Sequence, residues 1–480
     1  MKNRIIPMAV MLLCSAIFLS GCKSGQEPAT EVKPDFSGAL TKAEIEGGIL
    51  TPEILWKYGR IGEQKLSSDG RLVVYSVTRY DATTQSRETN LFAVTSSGTD
   101  LVKLTEGGTN VNPRWKPGTS RIGFLSAESG SMQLWEMNVN GENKIQVSDI
   151  GGGINGFEYS PDGSNILYLK EVKFRDTPAD IYPDLPKANV RITEELMYRH
   201  WDHWEDEFAS HIFVARITDQ GLGKSIDIME GEPYETPLSP YFDQAEISWN
   251  SDGSAIAYTC KKMSRNEYAQ STNSDIYLYT LSTGETINLT EGMEGYDKYP
   301  VFSPDGSKMA WQSMETPGFE ADKDRLMVMD LATKEITYLT ADVDQSVSSL
   351  AWSDDSKTIW FITGHYATYQ IGNINLDSMV FNTVTTGIHD YTSFELNGNV
   401  MIASRMSMQR ATELFRIDPY TGESQAISDV NGNIYENITM GAVKERWVTT
   451  TDRKQMLVWV IYPPGFDSTK TYPTLLYCQG

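Results

Sequence analysis

A short phrase recurs along this chain, and its repetition constrains the fold more than any other feature. An aromatic or apolar residue is followed by Ser, a turn, and an alternating apolar run. It reads Leu66-Ser-Ser-Asp-Gly70-Arg-Leu-Val-Val-Tyr75, then Tyr159-Ser-Pro-Asp-Gly163-Ser-Asn-Ile-Leu-Tyr168. It returns as Trp249-Asn-Ser-Asp-Gly253-Ser-Ala-Ile-Ala-Tyr258 and Phe302-Ser-Pro-Asp-Gly306-Ser-Lys-Met-Ala-Trp311. Weaker copies are Trp115-Lys-Pro-Gly118, Trp352-Ser-Asp-Asp355 and Phe394-Glu-Leu-Asn-Gly398. Asp-Gly between two apolar runs marks a β-hairpin, since both residues tolerate positive φ. The turns begin at 69, 117, 162, 252, 305, 354 and 397, spaced by 43 to 53 residues apart from one interval of 90. A second period-2 run follows, as in Leu91-Phe-Ala-Val94 and Leu326-Met-Val-Met329, and several copies close on Leu-Thr, at 104–105, 289–290 and 339–340. Two hairpins in such a repeat make four strands, which is a propeller blade. The chain therefore reads as all-β, a seven-bladed β-propeller over 49–440. A sandwich of evenly spaced strands would not require the phrase.

The interval of 90 holds an insertion rather than an eighth blade. The 41 residues between Leu169 and His211 do not read as a strand pair. They look like an insertion at about 170–210, joining the second and third strands of the third blade. Long insertions on regular repeats carry function or contact neighbours. Within it, Thr193 is placed to cap a short helix from Glu194. Glu194, Glu195, Asp202, Glu205, Asp206 and Glu207 crowd around Tyr198, Arg199, Trp201 and Trp204. Three readings stay open. Carboxylates beside aromatic rings can hold a cation such as a free peptide amine. The segment can equally be an acidic loop whose rings dock on the blade. His200, His203 and His211 suggest a metal, but their spacing fits no standard ligand set. No metal or other cofactor is expected.

Composition decides what the surface can meet. Lys plus Arg number 41 and Asp plus Glu 64, for a net charge of −23. Such a surface repels phosphate backbones, so no nucleic acid partner is expected. Lys2, Arg4 and the apolar run 5–20 read as an export signal over 1–21, too short to span a bilayer. The run ends in Leu19-Ser20-Gly21-Cys22, which resembles the bacterial lipobox, with Cys22 as the acylated residue. That implies an exported lipoprotein at the cell envelope, meeting the membrane through its lipid anchor alone. Residues 22–48 are polar, contain Pro28 and Pro34, and read as a flexible tether. Cys260 and Cys478 then remain as thiols, and no disulfide framework is indicated. Two glycosylation sequons, at Asn288 and Asn437, are chance matches in a bacterial protein.

The C-terminal text gives the family. Gln455-Met-Leu-Val-Trp-Val-Ile-Tyr-Pro-Pro-Gly465 leads through Tyr472-Pro473 to Thr474-Leu-Leu-Tyr-Cys-Gln-Gly480. These are two strands, one amphipathic and one apolar, and 441–480 reads as the incomplete start of an α/β domain. The tail resembles the entry into the α/β-hydrolase domain of the prolyl oligopeptidase (S9) family of serine peptidases. Leu50-Thr-Pro-Glu-Ile-Leu-Trp56 and Tyr198-Arg199-x-Trp201-Asp202-x-Trp204 resemble its acylaminoacyl-peptidase and dipeptidyl-peptidase V branch. The resemblance implies a propeller that caps the active site and admits short or unfolded peptides. It implies Glu194 and Glu195, then Asp202, with Tyr198, Arg199 and Trp201, as binders of a substrate's amino terminus. No Gly-x-Ser-x-Gly occurs, and the family's Ser, Asp and His correspond to positions beyond Gly480. Gln479 and Gly480 would open the family's oxyanion loop. The expectation is the substrate-gating part of an exopeptidase releasing dipeptides, inactive by itself and of undetermined oligomeric state. A TolB-like, non-enzymatic binding propeller is the alternative.

Overall fold

A computed structural model of the chain describes residues 33–263 and 265–478. The export signal, Cys22, Gln479 and Gly480 lie outside the described residues. Seven antiparallel sheets follow one another, spanning 60–103, 110–146, 156–227, 247–288, 297–338, 347–383 and 390–426. Each is a meander of four strands in chain order. In the third, the outer position is shared by two short strands, Gly221–Leu222 and Ile226–Asp227.

The strand after each turn phrase is apolar throughout because a blade is buried on both faces. In the first blade, Val73, Tyr75 and Val77 pack against the seventh, while Val74 packs against the second. In the sixth, Ile359 and Phe361 face the fifth blade, and Trp360 and Ile362 face the seventh. Every adjacent pair of blades has its own apolar cluster among the described residues. The aromatic residue that opens the phrase adds a polar staple between blades. Trp115 Nε1 donates to the Lys65 carbonyl at 3.0 Å, Trp249 to Glu158 at 3.4 Å, and Trp352 to Val301 at 3.0 Å.

The turn phrase is a hydrogen-bonded unit. Ser67 Oγ donates to Asp69 at 2.6 Å and accepts from Leu72 N at 3.0 Å; Ser160, Ser303 and Ser353 repeat both bonds. Of the two turn residues that tolerate positive φ, only the glycine adopts it. Gly70, Gly163, Gly253 and Gly306 lie at φ near +70°, whereas their Asp neighbours do not. The N–H of Gly70 reaches back to Ser67 O at 2.8 Å, and the carboxylate then caps the loop beyond. Such a four-residue loop, closed by Ser67 N to Leu72 O, needs one left-handed residue, which glycine supplies without steric conflict. These hydroxyl bonds are the main reason that Asp69, Asp162 and Asp305 are held at about 2, below the usual 3.8. Stability from a lowered carboxyl is present above its unfolded value and lost as pH falls through the folded one. The thermal midpoint is expected to fall steeply between about pH 4 and pH 2. A midpoint that stayed level over that window in a thermal scan would refute this role.

The Leu-Thr closures have an equally local cause. Thr105 Oγ1 accepts the Leu91 N–H at 2.9 Å, and Thr290, Thr340 and Thr385 do the same for Ile276, Leu326 and Ile371. Ser148 and Ser428 fill the position in the second and seventh blades. The third blade uses a side-chain hydrogen bond instead, between His211 Nδ1 and Asp227 at 2.9 Å. With Nε2 also against the Glu232 carbonyl at 3.1 Å, both nitrogens of His211 are engaged in the blade.

No strand is exchanged at the seam between the first and last blades; side chains close it. Asn431 is fully buried, with Oδ1 accepting from Gly59 N and Nδ2 donating to Gly59 O, both at 2.8 Å. Gln64 bridges Ser393 and Ser404 of the seventh blade, and Lys65 pairs with Glu395 at 2.7 Å. Toward the bore, Arg114 pairs with Glu63 and Glu158, both at 2.5 Å, linking the first three blades. The part of the expected tether that is described is not free. Thr41 caps the helix Lys42–Gly47, Glu44 pairs with Lys57 at 2.7 Å, and Thr439 N donates to Gly48 O at 2.8 Å. Ile54 and Tyr58 pack on Ile434 and Ile438. A capping box, which needs only Thr41 and Glu44, is what the absence of an apolar period concealed.

After the ring, Val443–Thr449 and Gln455–Ile461 form a two-stranded hairpin whose Trp459 donates to the Ala367 carbonyl at 3.3 Å. The expected apolar strand at Thr474–Tyr477 is not formed. Leu475 and Leu476 are 98% and 84% exposed. A strand is defined by its place in a ladder, and residues 471–478 belong to none of the sheets of the described residues.

Candidate functional site

The insertion leaves the second strand of the third blade at Lys173 and returns at Phe208, and these two strands pair without a break from Asn165↔Arg216 to Lys173↔Phe208. The insertion thus rises from a rigid two-strand stem, as its expected position between second and third strands requires. Its interior differs from expectation. Residues 194–198 are not helical, and the helix lies earlier, at Pro178–Ile181 behind its cap Thr177. Pro at the first helical position and Asp180 at the third make that cap the stronger one. A two-residue ladder, Arg199–His200 with His203–Trp204, is also present where no strand pair was read.

A pocket with a cavity volume of about 130 Å³, partly open to solvent, lies between the insertion and the rims of the third and fourth blades. Glu194, Glu195, Glu205 and Asp206 reach it from the insertion, and Glu235 from the blade rim. Phe174, Tyr198, Tyr234 and Tyr268 give it aromatic walls. Burial, and then the charge of Glu205, push the Glu235 carboxyl up to about 8. Burial lowers the Lys261 ammonium on the same wall to about 8; its Nζ donates to the Tyr268 carbonyl at 2.7 Å. A carboxyl so placed favours whatever cation can replace its proton.

Of the residues expected to bind substrate, Glu194, Glu195 and Tyr198 line this pocket. Arg199 and Trp201 border a shallower depression beside it, with Tyr198 and Trp204. Both Arg191 and Arg199 lie over the Trp204 ring, at 5.0 and 5.1 Å, so its face is occupied by cations of the chain itself. Asp202 is not brought to either: it sits exposed at the tip of the short ladder. The docking reading of the aromatics holds alongside the pocket, since Trp201 meets Tyr241 edge-on at 5.4 Å and His203 meets Phe242 at 5.0 Å. Glu235 was missed by sequence reasoning. It lies outside the insertion, and no local pattern marks it.

No protein-family model matches the chain. Dipeptidyl-peptidase 5 of Porphyromonas gingivalis is 44% identical over 435 residues, which is 90% of this chain and 64% of that protein. The protein of the same name from Porphyromonas endodontalis is 41% identical over 92% of this chain and 64% of its own length. The chain therefore spans just under two thirds of these relatives. Among solved structures, acylaminoacyl peptidase of Pyrococcus horikoshii superposes with a TM-score of 0.67 at 15% identity, over 87% of this chain and 60% of that one.

The chain is similar over nine tenths of its length to dipeptidyl-peptidase 5 proteins, and it shares its fold with part of an acylaminoacyl peptidase. The β-propeller domain of the Trilobed protease from Pyrococcus furiosus, described as having an open velcro topology, matches over 98% of its length with a TM-score of 0.52 at 14% identity.

Proposed function

We propose that this chain is the substrate-gating propeller of a serine exopeptidase that releases dipeptides or short N-terminal units from peptides. In this reading the insertion holds the peptide's free amine, with Glu194 and Glu195 as its carboxylate partners and Tyr198 as an aromatic wall. The chain itself performs no hydrolysis, residues 441–480 begin the hydrolase domain, and acylated Cys22 tethers the protein at the cell envelope of a bacterium. The observation that carries the reading is the pocket: five carboxylates converge on one aromatic-walled cavity in a chain 44% identical to a dipeptidyl-peptidase 5.

A primary ammonium is a small cation with three donors, and it gains most from carboxylates beside rings in partly excluded solvent. In a protein of the relatives' full length, Glu194→Gln with Glu195→Gln is expected to raise KM for free-amine peptides by about 10- to 100-fold, the loss of one charge-assisted contact. Substrates with a blocked amine should be unaffected. Steady-state dipeptide release, with the present chain as the inactive control, decides it: an unchanged KM for free-amine peptides removes the amine anchor from the reading.

A further inference from the structure

The insertion rests on a platform, residues 236–242, that is supported from below by carboxyl groups. Ser239 is gripped from two sides. Its N–H donates to Glu235 Oε1 at 3.1 Å, and its hydroxyl donates to Glu205 Oε1 of the insertion, also at 3.1 Å. One residue earlier, the Leu238 N–H donates to Glu246 Oε2 at 2.7 Å. Thr236 fixes the platform to the blades through the Ser210 and Thr259 carbonyls. On its outer end, Tyr241 and Phe242 receive Trp201 and His203. A hydroxyl–carboxylate bond and two ring pairs therefore join insertion and platform, above the half-buried Glu235 and the buried Glu246.

We propose that the insertion, residues 174–207, is a proton-dependent flap: the Glu205–Ser239–Glu235 bridge latches it to the platform while one of the two carboxyls is neutral, and it loosens when both are charged. The latch is set by the fold and holds whatever the pocket binds.

The surroundings leave the acids short of counter-charge. Glu235 faces Glu205 and Asp206 from the insertion and Glu246 from the start of the fourth blade, with Tyr268 also on its wall. Glu246 faces Asp243, and its charged form is favoured by the Leu238 N–H and by Lys298 of the fifth blade. The nearby cations are turned elsewhere: Lys261 to the Tyr268 carbonyl and Arg175 to the Asp206 carbonyl at 2.7 Å. Burial raises both Glu235 and Glu246 to about 8, from an ordinary 4.5. Since the docked state holds the proton more tightly, docking is strongest below the ordinary carboxyl range and weakens as pH rises to about 8. Each unit of difference between the docked and open pKa shifts the docking equilibrium tenfold.

The test is hydrogen exchange on the whole chain at about pH 5.5 and about pH 8.5, corrected for intrinsic rates. Peptides from 174–207 are compared with the core of the fifth blade as an internal reference. Protection of the insertion is expected to fall at least about tenfold at the higher pH, with the reference unchanged. Glu235→Gln should keep the insertion protected at both pH values, since the amide oxygen still accepts from Ser239 and carries no charge. Ser239→Ala should leave it unprotected at both. Glu205→Gln provides the same neutral bridge from the other side if the first variant folds poorly by the reference peptides. Equal wild-type protection at the two pH values overturns the proposal, and so does an unchanged pH loss in both glutamine variants.

Discussion

Trp311→Ala is expected to lower the unfolding free energy by about 4 kcal/mol, the scale for emptying a well-packed tryptophan site. Trp311 is fully buried between the fourth and fifth blades, among Ile276, Leu289, Met309 and Met327. Its indole also donates to Asp297 Oδ1 at 2.7 Å. Asp297 is itself fully enclosed, and burial pushes its carboxyl up to about 7. The truncation therefore opens a cavity and strips a buried acid of its donor at once. Trp311→Phe separates the two effects, keeping an aromatic ring while losing the N–H, and should fall about 1–3 kcal/mol below wild type. Urea titrations of both variants read the difference directly. A loss near zero for the alanine variant would mean that the two blades are not packed against each other as described.

Asn431→Ala should be the second most damaging single change, at about 3 kcal/mol, because it orphans two buried backbone groups together. Gly59 has its N–H and its carbonyl both satisfied by this one amide across the ring seam. Glu413 supports the position from behind, accepting the Asn431 N–H at 3.1 Å and the Val430 N–H at 3.0 Å. With no exchanged strand, a weak seam opens before the blades unfold. Exchange of amides at 59–66 and 390–431 should therefore accelerate more than exchange in the fourth and fifth blades. The control is Asn397→Ala: it removes bonds to the Ser67 and Ser68 carbonyls at an exposed place on the same seam, and should cost under about 1 kcal/mol. Uniform acceleration over all seven blades would show that the seam is not the weak point.

Much of the fold was legible because its determinants are local. Ser67, Asp69 and Gly70 make their turn from bonds within five residues, so the phrase carries its own conformation wherever it recurs. The alternating run reports burial on both faces of a strand, which is a property of successive residues. Leu104-Thr105 was noticed as punctuation, and the hydroxyl proved to cap a strand 14 residues earlier. Ser148 and Ser428 perform the same act without the Leu-Thr pattern and were invisible for that reason. Errors fell where competing local signals were close in strength. Thr193-Glu194 looked like a helix start, but Thr177-Pro178 with Asp180 is a better one. The apolar run at 474–477 has strand composition, yet composition supplies no partner.

The candidate site divides along the same line. Glu194, Glu195 and Tyr198, grouped in the sequence because carboxylates and rings crowd one segment, line one pocket, while Asp202 of the same group lies outside it, because crowding in sequence does not fix direction. Glu235 and Glu246 stand 30 and more residues away from that segment, in text with no motif. Their chemistry comes from desolvation and from the charges of Glu205, Asp206 and Asp243, which are quantities of assembled space. By itself the sequence determined the seven-fold repeat, the strand period, the turns and the place of the insertion, since each depends on residues a few positions apart. Only the tertiary structure decided which carboxyls share a pocket and which of them keep their protons, because electrostatic energy depends on distance and on excluded water, and both exist only once the blades have packed.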